Sequence, residues 1–291
     1  MPSETTALSA SAEAAIRAGH PKAALAALVA AVKVEPSRPE LRVFLAQLLC
    51  VLGEWERAHT QLNVAAELDE MVIPMREMVG YALRCEKMRA AVFEGRRRPM
   101  VFGEPEEWLA CLIESNQRAA AGEIELAHGL AKRAFEAAPT SAGTLDGTPF
   151  EWIADADSRL GPVLEVMVNG RYYWVPFSGL AQVRIDPPTD LRDIVWLPAQ
   201  LRFINGGEVI AMLPVRYPGS ERSGDDQIVM ARRTEWRADG ADSGGDGRWL
   251  GLGQHVLTTD QGDHDLLSVR LIELAAAPAD SASEPRAAND G

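Results

Sequence analysis

The sequence lacks the segments and motifs that would place it in a membrane or in a common class of enzyme. No apolar run approaches the roughly 20 residues of a membrane-spanning helix, and residues 1–18 lack the basic flank and apolar stretch of a secretory signal. There is no phosphate-binding loop, no nucleophile elbow and no dinucleotide fingerprint. These absences favour a cytoplasmic protein without membrane insertion, and they give no support to catalysis or to a cofactor.

Cysteine is scarce, and its distribution argues against disulfide bonds. The three cysteines, Cys50, Cys85 and Cys111, stand far apart with no C-x-x-C spacing. An odd count without a secretory signal is typical of reduced thiols packed in a core.

Positive charge is also in deficit. The formal net charge is -13, which argues against nucleic acid as a partner because phosphate binding needs a cationic surface. Residues 1–143 hold 16 Lys+Arg against 19 Asp+Glu, whereas the remainder holds 13 against 23. One basic cluster, Arg96, Arg97 and Arg98, is a candidate partner contact. The alternative is a solvated helix end, where cations are favoured by the helix dipole.

The first half carries an internal repeat. Residues 19–37, 53–71 and 122–140 align without gaps, each starting with glycine and carrying alanine five and twelve positions later. A small residue also lies seven positions before each glycine. These small residues are Ala12, Ala24, Ala31, Ala46, Ala58, Ala65, Ser115, Ala127 and Ala134. Antiparallel helices approach closely only where small side chains lie on the contact line, so the pattern predicts three helix pairs.

The spacing of the repeats identifies their type. The first two glycines are 34 residues apart and the third follows 69 residues later, which matches tetratricopeptide periodicity with one degenerate unit. Residues 73–95 fit one long amphipathic helix in that interval. We therefore predict a helical domain over residues 1–143 whose concave surface binds a peptide or helix. Trp55 and Trp108 are included among the candidate partner contacts.

From about residue 146 the pattern changes to short alternating runs. Hairpins are predicted at Asn169-Gly170 and at residues 205–207, because Asn-Gly supplies the positive φ angles of a tight turn. Roughly six strands predict a small β-rich domain over residues 144–275, for which an SH3-like barrel fits the size. Residues 237–247 are predicted to form a flexible Gly/Asp-rich loop, and residues 276–291 a disordered tail. The predicted fold class is α+β.

One segment of the second half resembles a metal-binding loop. Asp155 and Asp157 could hold a cation, but Arg159 and Leu160 stand where a calcium loop needs an oxygen ligand and a glycine. The structural interpretation is that Asp155, Asp157 and Arg159 pair with backbone donors and each other at the domain junction. The alternative is a metal-dependent enzyme or metal sensor that uses these aspartates, with residues 263–265 (Asp-His-Asp) as further ligands.

The aromatic run at residues 171–174 adds two candidate contacts. On a strand, Tyr172 and Trp174 would lie on one face, and Arg171 and Tyr173 on the other. One pair then fills the core, and an exposed Arg171–Tyr173 pair has the composition of a binding hot spot. Core packing of both pairs is the alternative, because aromatic residues are favoured in strands generally.

Several longer strings resemble the ImpE/TagJ family of accessory proteins in bacterial type VI secretion. The likeness spans about residues 40–220 and 231–236. Its clearest strings are VFGEPEEWLACLIE, DGTPFEWIADADSRLGPVLEVMVNGRYYWVPF and DLRDIVWLPAQLRFINGGEVIAMLPVRYPGS. The resemblance implies a cytoplasmic accessory role and an association with the small sheath subunit, TssB, and the AAA+ ATPase ClpV. It supplies no catalytic residues.

Together these observations favour a non-catalytic adaptor. We expect the helical half to bind a helical segment of the small sheath subunit and to link it to sheath assembly or to ATPase-driven disassembly. The competing hypotheses are the metal-dependent enzyme or sensor, and a purely structural protein that docks through its β half. The oligomeric state stays open.

Overall fold

The computed structural model describes residues 4–102, 106–239 and 247–275. Most of the predicted loop at 237–247 and the whole of the predicted tail at 276–291 lie outside these ranges. The helices in the described residues are α1 (Glu4–Arg17), α2 (Pro21–Val34), α3 (Pro39–Val51), α4 (Trp55–Leu68), α5 (Ile73–Phe93), α6 (Glu107–Ala120), α7 (Ile124–Ala137) and the short α8 (Asp226–Val229).

The three predicted helix pairs are confirmed as α1–α2, α3–α4 and α6–α7. Gly19, Gly53 and Gly122 open the turns between paired helices with φ of 83°, 72° and 82°, a left-handed conformation that glycine adopts without strain. Of the repeated small side chains, all nine are fully buried. The single long helix predicted between the pairs is also confirmed, since α5 runs from Ile73 to Phe93.

The alanine contact line predicts a specific stability difference within α2. Ala24 is fully buried, whereas Ala26 is exposed. We expect Ala24→Leu to lower the free energy of unfolding by about 1–3 kcal/mol, because extra methylenes in a closed helix contact force a shift of the backbone. Ala26→Leu is the matched control and should stay near wild type in urea unfolding. Equal stability of the two variants would contradict the close-packed contact line.

The β-rich part is built from strands, of which β1 lies in the first half of the chain and the others follow residue 142. The first eight are β1 (Met100–Val101), β2 (Gly143–Leu145), β3 (Thr148–Phe150), β4 (Ile153–Asp155), β5 (Val163–Val168), β6 (Arg171–Pro176), β7 (Leu180–Ile185) and β8 (Trp196–Phe203). The others are β9 (Glu208–Pro214), β10 (Thr234–Ala238), β11 (Trp249–Gly253), β12 (Val256–Thr259), β13 (Gly262–Asp265) and β14 (Leu271–Leu274). Nine of them form one sheet in the order β1-β6-β5-β9-β8-β7-β14-β2-β3, beside a β10-β11 pair and a β13-β12-β4 sheet.

Both predicted hairpins are present, whereas the predicted barrel is not confirmed. Asn169 and Gly170 have φ of 49° and 73° and join β5 to β6, and the turn at residues 205–207 joins β8 to β9. Within the described residues the edge strands of the large sheet, β1 and β3, do not pair with each other. The sheet is therefore open, and the SH3-like barrel is not confirmed.

Two hydrophobic clusters lie on opposite faces of the large sheet. All six residues of β5 are buried, because one face packs on the helices and the other on the second cluster. The first cluster is shared between helices and strands; it includes Leu49, Val79 and Val92 together with Val163, Met167 and Trp174. The second lies within the β-rich part and includes Val166, Val175, Leu201 and Leu213. The hydrophobic core is thus continuous across residue 143.

Candidate protein-binding site

Five of the seven candidate contact residues lie at one edge of the large sheet. After α5 ends at Phe93, the chain passes through Arg96–Arg98 and enters β1, which pairs in parallel with β6, Met100 opposite Tyr173. Arg98 precedes Met100 by two residues, as Arg171 precedes Tyr173. Neighbouring strands lie about 4.8 Å apart, so extending the parallel register by two residues brings the backbone of Arg98 close to that of Arg171. The backbone N–H groups of Arg96 and Arg97 donate to the Ala91 carbonyl at the end of α5.

The arginines at this edge are largely unneutralised. The three side chains of Arg97, Arg98 and Arg171 are exposed and form no ion pair within the described residues, whereas Arg96 pairs with Glu94. Unpaired guanidinium groups at a surface favour carboxylates, which they bind with charge-assisted hydrogen bonds. This part of the edge therefore suits an acidic partner.

An apolar cavity lies at the other end of β1 and β6. The Phe102 ring lies 4.4 Å from the Tyr173 ring and 4.8 Å from the Phe203 ring, centroid to centroid. Beside them is a cavity of about 450 Å³ whose walls include Leu109, Val175 and Ile204. Ile204 is 65% exposed, which is unusual for so large an apolar side chain and marks a place where a partner would remove apolar surface from water.

We call the arginines Arg97, Arg98 and Arg171, together with the cavity beside Phe102, the β6 edge site. Strand β6 has six residues, so its ends are about 17 Å apart. About 11 residues of helix cover the same distance at 1.5 Å per residue. An amphipathic helix with an apolar anchor at one end and carboxylates three turns away fits this surface in length and in charge.

The two tryptophans proposed as contacts lie elsewhere. Trp55 is half-buried and its ring packs 5.6 Å from that of Trp196. Trp108 is only 4% exposed, and its indole N–H donates to Glu106 at 3.0 Å. Their size and polarity suit a hot spot, but burial among helices and strands of the same chain removes most of this surface from a partner.

Part of the surface of the helical repeats is covered by the chain itself. A 3-10 turn, Leu191–Ile194, packs against α3, and both of its terminal side chains join the shared core. The Arg216 guanidinium donates to the Val51 carbonyl, the last of α3, at 2.6 Å. Residues after β7 and β9 therefore cover part of the surface of α3, and the exposed candidate contacts lie elsewhere, at the β6 edge.

The aspartates of the metal hypothesis are engaged by protein donors. Both Asp157 oxygens accept hydrogen bonds from the Arg159 guanidinium, and Asp157 Oδ2 also accepts from the Gly251 N–H at 2.7 Å. Asp155 accepts from the Tyr217 hydroxyl at 2.8 Å, and its Oδ2 lies 2.6 Å from His255 Nδ1. In the described part of the chain, no group of three or more His, Cys, Asp or Glu could hold a metal ion.

A buried ionic cluster joins α5 to the sheet, and sequence analysis did not identify it. The Arg89 guanidinium donates to both Glu165 oxygens at 2.7 and 2.8 Å, and His255 Nε2 lies 3.1 Å from Glu165. Burial alone would raise the pKa of Glu165, but Arg89 and His255 hold it well below its ordinary range. The sequence did hold a signal for this cluster. Glu165 is the one charged residue in the otherwise apolar strand segment 163–168, and a charge buried there requires a partner.

Cys50 and Cys85 are free and buried, as predicted for thiols packed in a core, whereas Cys111 is free but only half-buried. Burial raises the pKa of the Cys50 and Cys85 thiols to about 12, so both stay protonated and unreactive near neutral pH. Across the described ranges, no helix is long and apolar enough to cross a bilayer.

The comparisons with known proteins agree with this architecture. A family model described as ImpE protein matches residues 147–273, and a tetratricopeptide repeat model matches residues 15–71. A Pseudomonas aeruginosa protein described as type VI secretion system accessory component TagJ is 45% identical over 262 residues, covering 90% of each chain. A crystal structure from Vibrio parahaemolyticus superposes with a TM-score of 0.82 at 24% identity, covering 92% of this chain and 98% of that one; this likeness shows the fold alone.

Helical repeats that share a core with an open β-sheet define the class of protein, a repeat protein of the kind that commonly serves in protein–protein interaction. The extent and identity of the TagJ match then decide the family. The chain belongs to the ImpE/TagJ family of type VI secretion accessory proteins.

Proposed function

We propose that the chain is a non-catalytic, cytoplasmic adaptor of a bacterial type VI secretion system that binds a helix of the small, TssB-like sheath subunit. In this role it links that subunit to sheath assembly or to disassembly by a ClpV-like AAA+ ATPase. The supporting observations are the family, the description of the Pseudomonas aeruginosa relative as a type VI secretion system accessory component and the β6 edge site.

One observation carries the proposal. Arg97, Arg98 and Arg171 are exposed without an ion pair among the described residues, and they share an edge with the cavity beside Phe102. Because residues 191–194 already pack against α3, we place the amphipathic helix at the β6 edge site. Apolar burial in the cavity supplies affinity, and the arginines fix the orientation of the acidic end.

The double variant Arg97→Glu/Arg98→Glu tests this assignment in the full chain. We expect its dissociation constant for the purified small sheath subunit to rise at least about tenfold at low salt, since like charges then face the acidic end of the helix. The difference should shrink as salt rises, because exposed charges are screened. Isothermal titration at two salt concentrations measures both effects.

The matched control is Arg57→Glu/Arg133→Glu, two exposed arginines of the helical half that lie outside the β6 edge site. It changes the net charge by the same amount and should bind as wild type does. Equal weakening by both double variants would reduce the effect to overall charge. Wild-type affinity of the Arg97/Arg98 variant would exclude the β6 edge as the sheath-binding surface.

A further inference from the structure

Strand β14 ends at the same end of the large sheet as the cavity beside Phe102. Glu273 of β14 pairs with Gln182 of β7, and Leu180 at the start of β7 pairs with Phe203, which lines the cavity. Neighbouring strands lie about 4.8 Å apart. The backbone therefore leaves β14 two strand spacings, or about 10 Å, from Phe203, and the chain after residue 275 starts beside the β6 edge site.

The sequence continues with residues 276–291, which we call the C-terminal segment. Its starting point is fixed, because the Ala275 N–H donates to the Ala142 carbonyl at 2.9 Å. From there, the path to the cavity and then along β6 to the arginines is about 27 Å. An extended chain rises about 3.3 Å per residue, so Glu284, nine residues after Ala275, can reach the arginines. Asp290 follows six residues later, so the C-terminal segment is long enough to span the whole site.

The composition of the C-terminal segment follows the order of the site. Residues 276–279 are three alanines and a proline, and they come first, beside the cavity where Ile204 is 65% exposed. The charged residues come later and are mostly acidic, with Asp280, Glu284 and Asp290 against Arg286. The exposed arginines of the site lie at its far end, and carboxylates bind such groups with charge-assisted hydrogen bonds. The segment and the site are therefore complementary along their length.

A second acidic stretch outside the described ranges starts elsewhere on the molecule. Residues 240–246 include Asp242 and Asp246, but they follow Asp239, whose carbonyl lies 3.0 Å from His128 Nε2 on α7. This stretch begins beside α7 rather than beside the cavity, so its aspartates provide a control of equal charge.

We propose that the C-terminal segment binds the β6 edge site of its own chain and competes there with the partner helix. The inference rests on the proposed function, because it regulates the site assigned to the sheath subunit. Residues 276–279 cover the apolar surface at Ile204, and Glu284 and Asp290 face the arginines. A segment joined to its site by a short linker has an effective concentration in the millimolar range. Contacts too weak for a free peptide therefore suffice within the chain, and a sheath helix with stronger contacts displaces the segment.

Hydrogen exchange of the full chain tests the contact without any partner. The amides of residues 100–102 and 203–207 should exchange at least about twofold faster in Glu284→Lys/Asp290→Lys than in the wild type, because the segment then covers them less of the time. The variant Arg97→Glu/Arg98→Glu should show the same increase. A chain that carries both pairs of substitutions should exchange as slowly as the wild type, since attraction between opposite charges is restored.

The matched control is Asp242→Lys/Asp246→Lys, which changes the net charge by the same amount as Glu284→Lys/Asp290→Lys and should exchange as the wild type does. Equal exchange in the wild type and in Glu284→Lys/Asp290→Lys would overturn the inference. Protection that rises with protein concentration would also overturn it, because the segment would then come from a second copy of the chain.

Isothermal titration with the purified small sheath subunit tests the competition. Glu284→Lys/Asp290→Lys should bind the subunit at least about twofold more tightly than the wild type does, whereas Asp242→Lys/Asp246→Lys should bind with wild-type affinity. Equal affinity of these two variants would overturn the competition. If the subunit binds none of the chains, the proposed function fails, whereas the exchange experiment still decides whether the C-terminal segment contacts the β6 edge site.

Discussion

Glu165→Gln is expected to lower the free energy of unfolding by about 3–5 kcal/mol, because removing one partner of a buried ion pair leaves the other charge uncompensated. The Glu165 side chain is 2% exposed and Arg89 is 6% exposed, so water cannot replace the lost carboxylate. The Tyr172 hydroxyl and His255 lose an anionic acceptor at the same time. Urea unfolding, followed by circular dichroism, measures the change.

Two comparisons isolate the cause of that loss. Glu56→Gln breaks another ion pair of α5, with Lys87 at 2.8 Å, but both side chains are exposed and little change is expected. The double variant Arg89→Met/Glu165→Met removes both charges, and it should recover much of the stability lost by Glu165→Gln. If Glu165→Gln unfolds at the same urea concentration as Glu56→Gln, the cluster does not hold α5 on the sheet.

The helical half was predictable because its signals are local. A glycine with positive φ, followed by alanines at fixed spacing, defines each helix pair within about 20 residues of sequence. The hairpin at Asn169-Gly170 was predictable for the same reason, since two residues set its turn. Whether the sheet closes into a barrel or stays open was not predictable, because that depends on which distant strands become neighbours. Strand β14, for example, lies between β7 and β2, and no local pattern gives that order.

The candidate site was only partly predictable. The sequence indicated Arg96–Arg98 and Arg171 as candidates by their composition. Their proximity depends on strand β1, which consists only of Met100 and Val101 and is too short to show an alternating pattern. Phe102 packs on Tyr173, a contact that no pattern in the sequence indicates. Trp108 was selected as a partner contact but is buried, because tryptophan is favoured both at interfaces and in cores.

His255 is expected to make the protein less stable as the pH rises from about 6.5 to about 9. Burial alone would lower the pKa of this imidazole, but the carboxylates of Asp155 and Glu165 raise it to about 9, with Arg89 also close. The pKa is thus higher in the folded chain than the ordinary 6.5, so the stabilisation is complete below pH 6.5 and is lost as pH rises through 9. A shift of this size corresponds to roughly 3 kcal/mol.

Urea unfolding of the wild type and of His255→Gln at several pH values between 6.5 and 9 measures this linkage. The wild type should lose stability with a slope approaching about 1.4 kcal/mol per pH unit, the limit for one proton, whereas His255→Gln should be less stable at pH 6.5 and show a flatter profile. Burial also raises the Cys50 pKa, but that contribution is common to both proteins and cancels in their difference. Parallel profiles would mean that His255 is neutral in the folded chain, and the cluster would then be held by Arg89 and Glu165 alone.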